Sequence, residues 1–383
     1  MTVPAYPTLA GFRRTGRLHS NGESWFPFNA PKGQSGWAFS GRVALYHGIE
    51  RLRLPPHSTI LVPTYHDGIE LAALLAAGYR LRYYRVDQEL RVDFADIERR
   101  LDSSVAALFV THYFGIPQPL TALRAFCDAR GLKLIEDCAV ALFSRSEETW
   151  LGSVGDLAIF SLYKTLPLPH GGYFVTGSGN PTAPQNGRRA MRAPPFMSTF
   201  VQTLDLVHHT LAARGWTRIE RAAARASRFV RRLLRWDRGT TVSSGGHRWD
   251  ARLVGYDASR WTRQLVRFTN PNQVIARRRA NYARLAAKLR LLVAVPFLEL
   301  APGTCPLLLP ILVPNRDRVH AELQALGVQS GKYWPVAHYT CAPQLAAELA
   351  PWRERCLELP IHQELNDADI DRIAAAVIQV VTT

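Results

Sequence analysis

Between Ser58 and Gly177 short apolar runs alternate with segments of helical period. STILVPTY, YRLRYYRVD, VAALFVTHYFG, KLIEDCA and LAIFSLY read as strands, while GIELAALLAAG, FADIERRLD and PLTALRAFCDARG read as helices. Strand, helix, strand repeated in this way predicts an α/β fold with a mainly parallel central sheet and helices on its faces. Farther along, CPLLLPILVPNRDRVHAELQALGV predicts strand, turn and helix, and ELPIHQELNDADIDRIAAAVIQVV a strand or turn before a helix with an acidic first turn. The pattern divides the chain into an N-terminal segment with most of a large domain (1–186), a basic helical insertion with a return to that domain (187–270), and a smaller C-terminal α+β domain (271–383).

Sheets of this kind carry their reactive side chains at the carboxyl ends of the strands. VPTYHDG, THYFGIP, IEDCA and FSLYK each end an apolar run in polar or ionisable residues, so all four are expected to converge on one crevice. A carboxylate after a buried strand, Asp137, needs a cationic partner, and a partly desolvated lysine, Lys164, becomes nucleophilic as its amine loses its proton more easily. Pyridoxal phosphate uses both, taking a lysine at its aldehyde carbon and a carboxylate at its ring nitrogen. In FSGRVALYHGIERL, Ser40 and Gly41 precede a helix-forming run whose N-terminus would take the phosphate, with Arg42 adding charge and Ser161 a hydroxyl. The same residues have plainer readings. Lys164 suits an exposed loop, Asp137 a helix N-cap, SGRVAL any helix start, and His66 and His112 satisfied polar groups at strand ends.

Composition adds scale and charge. With 383 residues, 47% of them hydrophobic, the chain can bury a large core. The formal charge of +16, mostly arginine, suits an anionic partner. Much of it lies in residues 187–238, where WTRIERAAARASRFVRRLLRW spaces Ile219, Ala222, Ala226, Phe229, Leu233 and Trp236 along one face of a basic amphipathic helix. That helix reads as a solvated or partner-covered face, or as peripheral contact of 214–238 with anionic lipid or an anionic substrate. No nucleic-acid motif accompanies the charge. Five scattered cysteines without CxxC pairing indicate neither a disulfide framework nor a metal site. The N-terminal residues lack a signal-peptide pattern, and no run of about 18 apolar residues exists to span a bilayer, so a cytoplasmic protein is expected.

Taken in order, SGRVAL, LVPTY, THYFGIP, LIEDCAVAL, GDLAIFSLYKTLPLPHGGYFV and LPIHQEL resemble the motifs of the DegT/StrS family of pyridoxal-phosphate-dependent aminotransferases. The resemblance implies a fold-type-I transferase, a homodimer, and transfer of an amino group from a donor such as glutamate to a keto group on a nucleotide-linked sugar or a related intermediate of polysaccharide assembly. It matches Lys164, seven residues before Gly171, to the lysine that carries the cofactor, Asp137 to the carboxylate on the ring nitrogen, and Ser161 and Gly41 to phosphate ligands. Departures from the pattern follow. Only three residues separate Ser161 from Lys164, His170 stands where the family commonly has Glu, and Val140 replaces a hydrogen-bonding residue. Asp67 falls where an aromatic usually covers the ring, so His66 or Tyr65 is expected to do so. Asp257 falls where an Asn of the partner chain often nears the phosphate. Tyr65, His112 and His170 are expected near the substrate. Val140 favours a lyase, dehydratase or other non-transaminating enzyme as the alternative, and Asp67, Asp257 and the basic insertion a non-catalytic regulator or scaffold.

Overall fold

A computed structural model describes residues 3–8, 25–31, 34–66, 68–177, 191–213, 225 and 249–382. Its centre is a sheet of seven strands: β1 (Ser35–Ala38), β2 (Thr59–Pro63), β3 (Arg80–Tyr84), β4 (Val105–Thr111), β5 (Lys133–Asp137), β6 (Leu157–Ser161) and β7 (Gly172–Thr176). The spatial order is β1-β7-β6-β5-β4-β2-β3. Strands β3, β2, β4, β5 and β6 pair in parallel, as the alternating pattern predicts. β7 and β1 are antiparallel additions at one edge, and their residues were not assigned to strands from the pattern.

The helices that flank these strands are α1 (Gly41–Ile49), α2 (Ile69–Ala76), α3 (Phe94–Arg99), α4 (Leu120–Ala129) and a single turn, α5 (Leu162–Thr165). Because helices cover both faces, TILVP and LAIFS are buried at every position instead of alternating inside and outside. Side-chain parity still sorts them. Ile60, Val62, Phe109, Ile135, Leu157 and Ile159 join α1 and α2 in one core, whereas Leu61, Leu108, Val110 and Leu134 join α4 in another.

After the first sheet come α6 (Phe196–Ala213), α7 (Arg260–Val266) and the long α8 (Pro271–Leu289). Asn270 caps α8 by accepting from Gln273 N, with Pro271 at the first helical position, where its missing N–H costs nothing. A second, three-stranded antiparallel sheet, β8 (Leu308–Leu312), β9 (Gly331–Lys332) and β10 (Cys356–Pro360), has β10 in the middle. It packs with α8, α9 (Arg316–Ala325) and α10 (Asp367–Thr382) around Leu285, Leu309, Leu359, Ile373 and Val377. Asp367 and Asp369 occupy the first turn of α10, as expected. The amphipathic basic stretch lies outside the described residues except for Arg225. Among the described residues no helix is long and apolar enough to cross a membrane.

Candidate active site

Helix α1 begins against the ends of β6 and β7. A Cβ on Gly41 would overlap Ser161 Oγ, and one on Gly172 would overlap the Ser40 carbonyl, so glycine at both places lets three segments meet. Gly171, before it, has φ of 143°, which side-chain-bearing residues rarely adopt. Ser40 is the N-cap of α1, yet its side chain makes no capping bond, and its Oγ is buried with no partner among the described residues. The first-turn N–H groups of a helix have no intrahelical acceptors and carry the positive end of its dipole. Ser40 Oγ, Ser161 Oγ and this helix end together form a donor set suited to a phosphate. Arg42, in the same turn, acts on Asp250, whose carboxyl is held below the usual range first by its hydrogen bond from Arg252.

The pleat brings Asp137 to this same face, since it continues the parity of Ile135 and pairs in register with Ile159. Its Oδ1 accepts from Ala139 N at 2.9 Å. Its Oδ2 lies 3.4 Å from His66 Nε2. Gly68 N donates to His66 Nδ1 at 2.9 Å, which makes Nε2 the N–H that points at Asp137. Glu70 Oε2 stands 3.9 Å from the same Nε2. Trp334, from the segment after β9, lies over His66 with ring centroids 4.9 Å apart, and its φ of 42° places it in the left-handed region. Arg353 holds this contact by donating to Trp334 O at 3.1 Å and to Thr64 O at 2.7 Å. Asp67 lies outside the described residues.

Tyr65 and His112 are on the other face and are not brought to Asp137. Tyr65 packs with Tyr113 and Trp352, donates to Tyr333 O at 3.2 Å and has Arg353 over its ring. His112 accepts from Gln118 N on Nδ1 and donates from Nε2 to Glu136 Oε2 at 3.0 Å. Glu136 also accepts from Gly152, Val154 and Gly155 N, so this pair secures the loop before β6. Val140 is buried in the same core as Tyr65.

Lys164 lies in α5, partly exposed, one residue before Thr165. Thr165 O accepts from Arg278 Nη2 at 3.2 Å and Gln363 Nε2 at 3.1 Å. Arg278 is 1% exposed, and it donates further to Gln363 Oε1 and to the Pro306 and Leu307 carbonyls. His170 turns away from Lys164: its ring stacks on Phe39 at 4.6 Å and its Nε2 lies 3.3 Å from Thr199 Oγ1 in α6. Burial pushes its imidazole down to about 4. Asp257 is taken by Arg263 and by Ala258 N. Burial raises its carboxyl, against the pull of Arg263.

The sheet order, with a helix N-terminus, a carboxylate and a lysine at adjacent strand ends, defines an α/β architecture with its ionisable residues at the strand ends. The chain belongs to the DegT/DnrJ/EryC1/StrS aminotransferase family, whose model matches residues 38–184 and 245–378 and leaves the arginine-rich stretch between them unmatched. It is 26% identical over 348 residues to a dTDP-4-dehydro-2,3,6-trideoxy-D-glucose 4-aminotransferase of Saccharopolyspora spinosa, covering 88% of this chain and 81% of the relative. It is 25% identical over 353 residues to a UDP-N-acetyl-3-dehydro-alpha-D-glucosamine 3-aminotransferase of Acidithiobacillus ferrooxidans, covering 88% and 82%. Two solved structures share its fold. One is Helicobacter pylori PseC, an aminotransferase of pseudaminic acid biosynthesis (TM-score 0.62, 15% identity, covering 91% and 86%). The other is Bacillus subtilis NtdA with bound cofactor PMP (TM-score 0.59, 16% identity, covering 91% and 73%).

Proposed function

We propose that this aminotransferase uses pyridoxal phosphate to move an amino group, with glutamate as donor, onto the keto group of a nucleotide-linked sugar or a related intermediate of glycan assembly. The observation that carries this reading is the meeting on one sheet face of the Asp137 carboxylate with the α1 N-terminus, where the Ser40 hydroxyl is buried with no partner among the described residues. When bound, pyridoxal phosphate supplies an electron sink for the carbon that loses or gains a proton. Ser40, Gly41 and Ser161 hold its phosphate, with Arg42 adding positive potential. Asp137 keeps the ring nitrogen protonated, and His66 orients Asp137. Lys164 would carry the cofactor and serve as the general acid and base that moves the proton.

The substrate class draws support from relatives that act on dTDP- and UDP-linked keto sugars, and from a net charge of +16 that favours a diphosphate-bearing substrate. The reading includes the division at 1–186, 187–270 and 271–383, a cytoplasmic homodimer, and contact of 214–238 with an anionic surface. A non-transaminating reaction on the same cofactor is the second reading, favoured by the apolar Val140 at a position where the family pattern has a hydrogen-bonding residue. The test is incubation with pyridoxal phosphate, glutamate and a panel of dTDP- and UDP-linked keto sugars, followed by mass spectrometry. One amino sugar formed per 2-oxoglutarate supports the proposal, and a coloured enzyme indifferent to every donor and acceptor favours the second reading.

A further inference from the structure

The N-terminal segment 3–8 is anchored to the second sheet's layer at several points. Val3 N donates to Gly327 O, Gln329 N donates to Val3 O, and Ala5 N donates to Gln329 Oε1 at 3.1 Å. His362 Nε2 donates to Pro4 O at 3.1 Å, and Thr8 donates from N and Oγ1 to the two carboxylate oxygens of Glu364 at 2.7 and 2.6 Å. His362 and Glu364 flank Gln363, whose amide holds the carbonyl of Thr165, the residue after Lys164. Tyr6 lies between these anchors, in a segment held against the residues that flank Gln363, and Glu358, Tyr163, Lys164 and Arg278 act electrostatically on its phenol. The phenol responds to its surroundings accordingly. Its pKa is raised, first by the Glu358 carboxylate and then by burial of the phenol, against the pull of Lys164 and Arg278, and it remains an O–H donor at working pH. The residue as a whole is 40% exposed.

We propose that Tyr6 is a substrate-positioning residue of the Lys164 site, laying its ring against the sugar of a nucleotide-linked substrate and donating its O–H to a sugar hydroxyl. Tyrosine suits this role because it joins a flat apolar face to one hydrogen-bond donor. The assignment rests on the substrate class proposed above and adds a residue that neither motif nor strand end marks.

The test uses the full chain reconstituted with pyridoxal phosphate, as wild type, Tyr6→Phe and Tyr6→Ala. Calorimetric titration with dTDP-glucose and UDP-N-acetylglucosamine, which lack a keto group, reads sugar binding apart from chemistry. The tighter of the two sugars is expected to weaken about two- to tenfold in Tyr6→Phe and about tenfold or more in Tyr6→Ala. Coenzyme absorbance and the glutamate half-reaction are expected to stay the same in all three. With a keto acceptor, KM rises and kcat holds. Equal affinity in wild type and Tyr6→Phe overturns the proposal, as does failure of the wild type to bind either sugar. A wild type that takes up no coenzyme counts against the proposed function, and the sugar titration still decides the role of Tyr6.

Discussion

His66 points its Nε2–H at Asp137 Oδ2 across 3.4 Å, and the Gly68 N–H fixes the ring from the other side. Together with Ala139 N on Oδ1, this orients the carboxylate before any ligand arrives. Asp137→Asn keeps the shape and the bond from Ala139 but loses the charge, so amino transfer is expected to fall by about two orders of magnitude or more, with coenzyme still bound. His66→Phe, which removes the orienting bond and the acceptor of Gly68 N but leaves the Asp137 charge, is expected to cost about tenfold. Steady-state rates with coenzyme absorbance as the control check both. A larger loss in His66→Phe than in Asp137→Asn contradicts the ordering.

Ser40 gives a prediction of two opposite signs. Its buried hydroxyl has no partner among the described residues, which costs stability unless a ligand supplies one. Ser40→Ala is therefore expected to raise the urea midpoint of the coenzyme-free protein slightly while lowering pyridoxal phosphate affinity about two- to tenfold. Gly41→Ala, whose Cβ would overlap Ser161 Oγ, is expected to lower both stability and coenzyme affinity.

Arg278 ties α8, Gln363 and two carbonyls before β8 to the carbonyl of Thr165. Arg278→Met removes this donor from Gln363 Oε1 and the Pro306 and Leu307 carbonyls, while Thr165 O keeps Gln363 Nε2, and is expected to destabilise the fold by about 3 kcal/mol, with Arg278→Lys recovering part of it. Urea unfolding measures the loss.

Two buried histidines predict how stability depends on pH. Burial pushes His170 from its ordinary 6.5 down to about 4, and burial, then Arg278, pushes His362 down to about 3. Below pH 6.5 the unfolded chain binds protons that the folded chain refuses, so both contributions are complete above that pH and are lost as pH falls towards 4 and 3. His170→Phe keeps a ring against Phe39 and removes one titrating group. Around pH 5 the slope of unfolding free energy against pH is expected to drop by of order 1 kcal/mol per unit. An unchanged slope contradicts the assignment.

The parallel strands and their flanking helices were legible because burial on both faces turns each strand into a continuous apolar run bounded by turn residues. β1 and β7 were not, because SGWA is short and contains glycine, and β7 follows a proline- and glycine-rich loop, so only long-range pairing reveals them. The strand ends VPTYHDG and IEDCA do bring His66 beside Asp137, and the small-residue start of α1 meets Ser161 at the end of β6. Strand ends also drew in Tyr65 and His112, which the pleat turns to the opposite core. Counting by twos from Leu61 to Tyr65, from Leu108 to His112 and from Ile135 to Asp137 separates them. Trp334, Arg278, Arg353 and Tyr6 carry no local signal, since each reaches the site from a segment distant in sequence.

The central claim is that Lys164 is the residue that carries pyridoxal phosphate. The direct measurement is the absorbance spectrum of purified wild type and Lys164→Ala after reconstitution, before and after glutamate. The account predicts a yellow wild type whose band shifts on adding glutamate, and a Lys164→Ala protein without that band. A wild type that stays colourless, or a Lys164→Ala protein with the wild-type band and response, would contradict it.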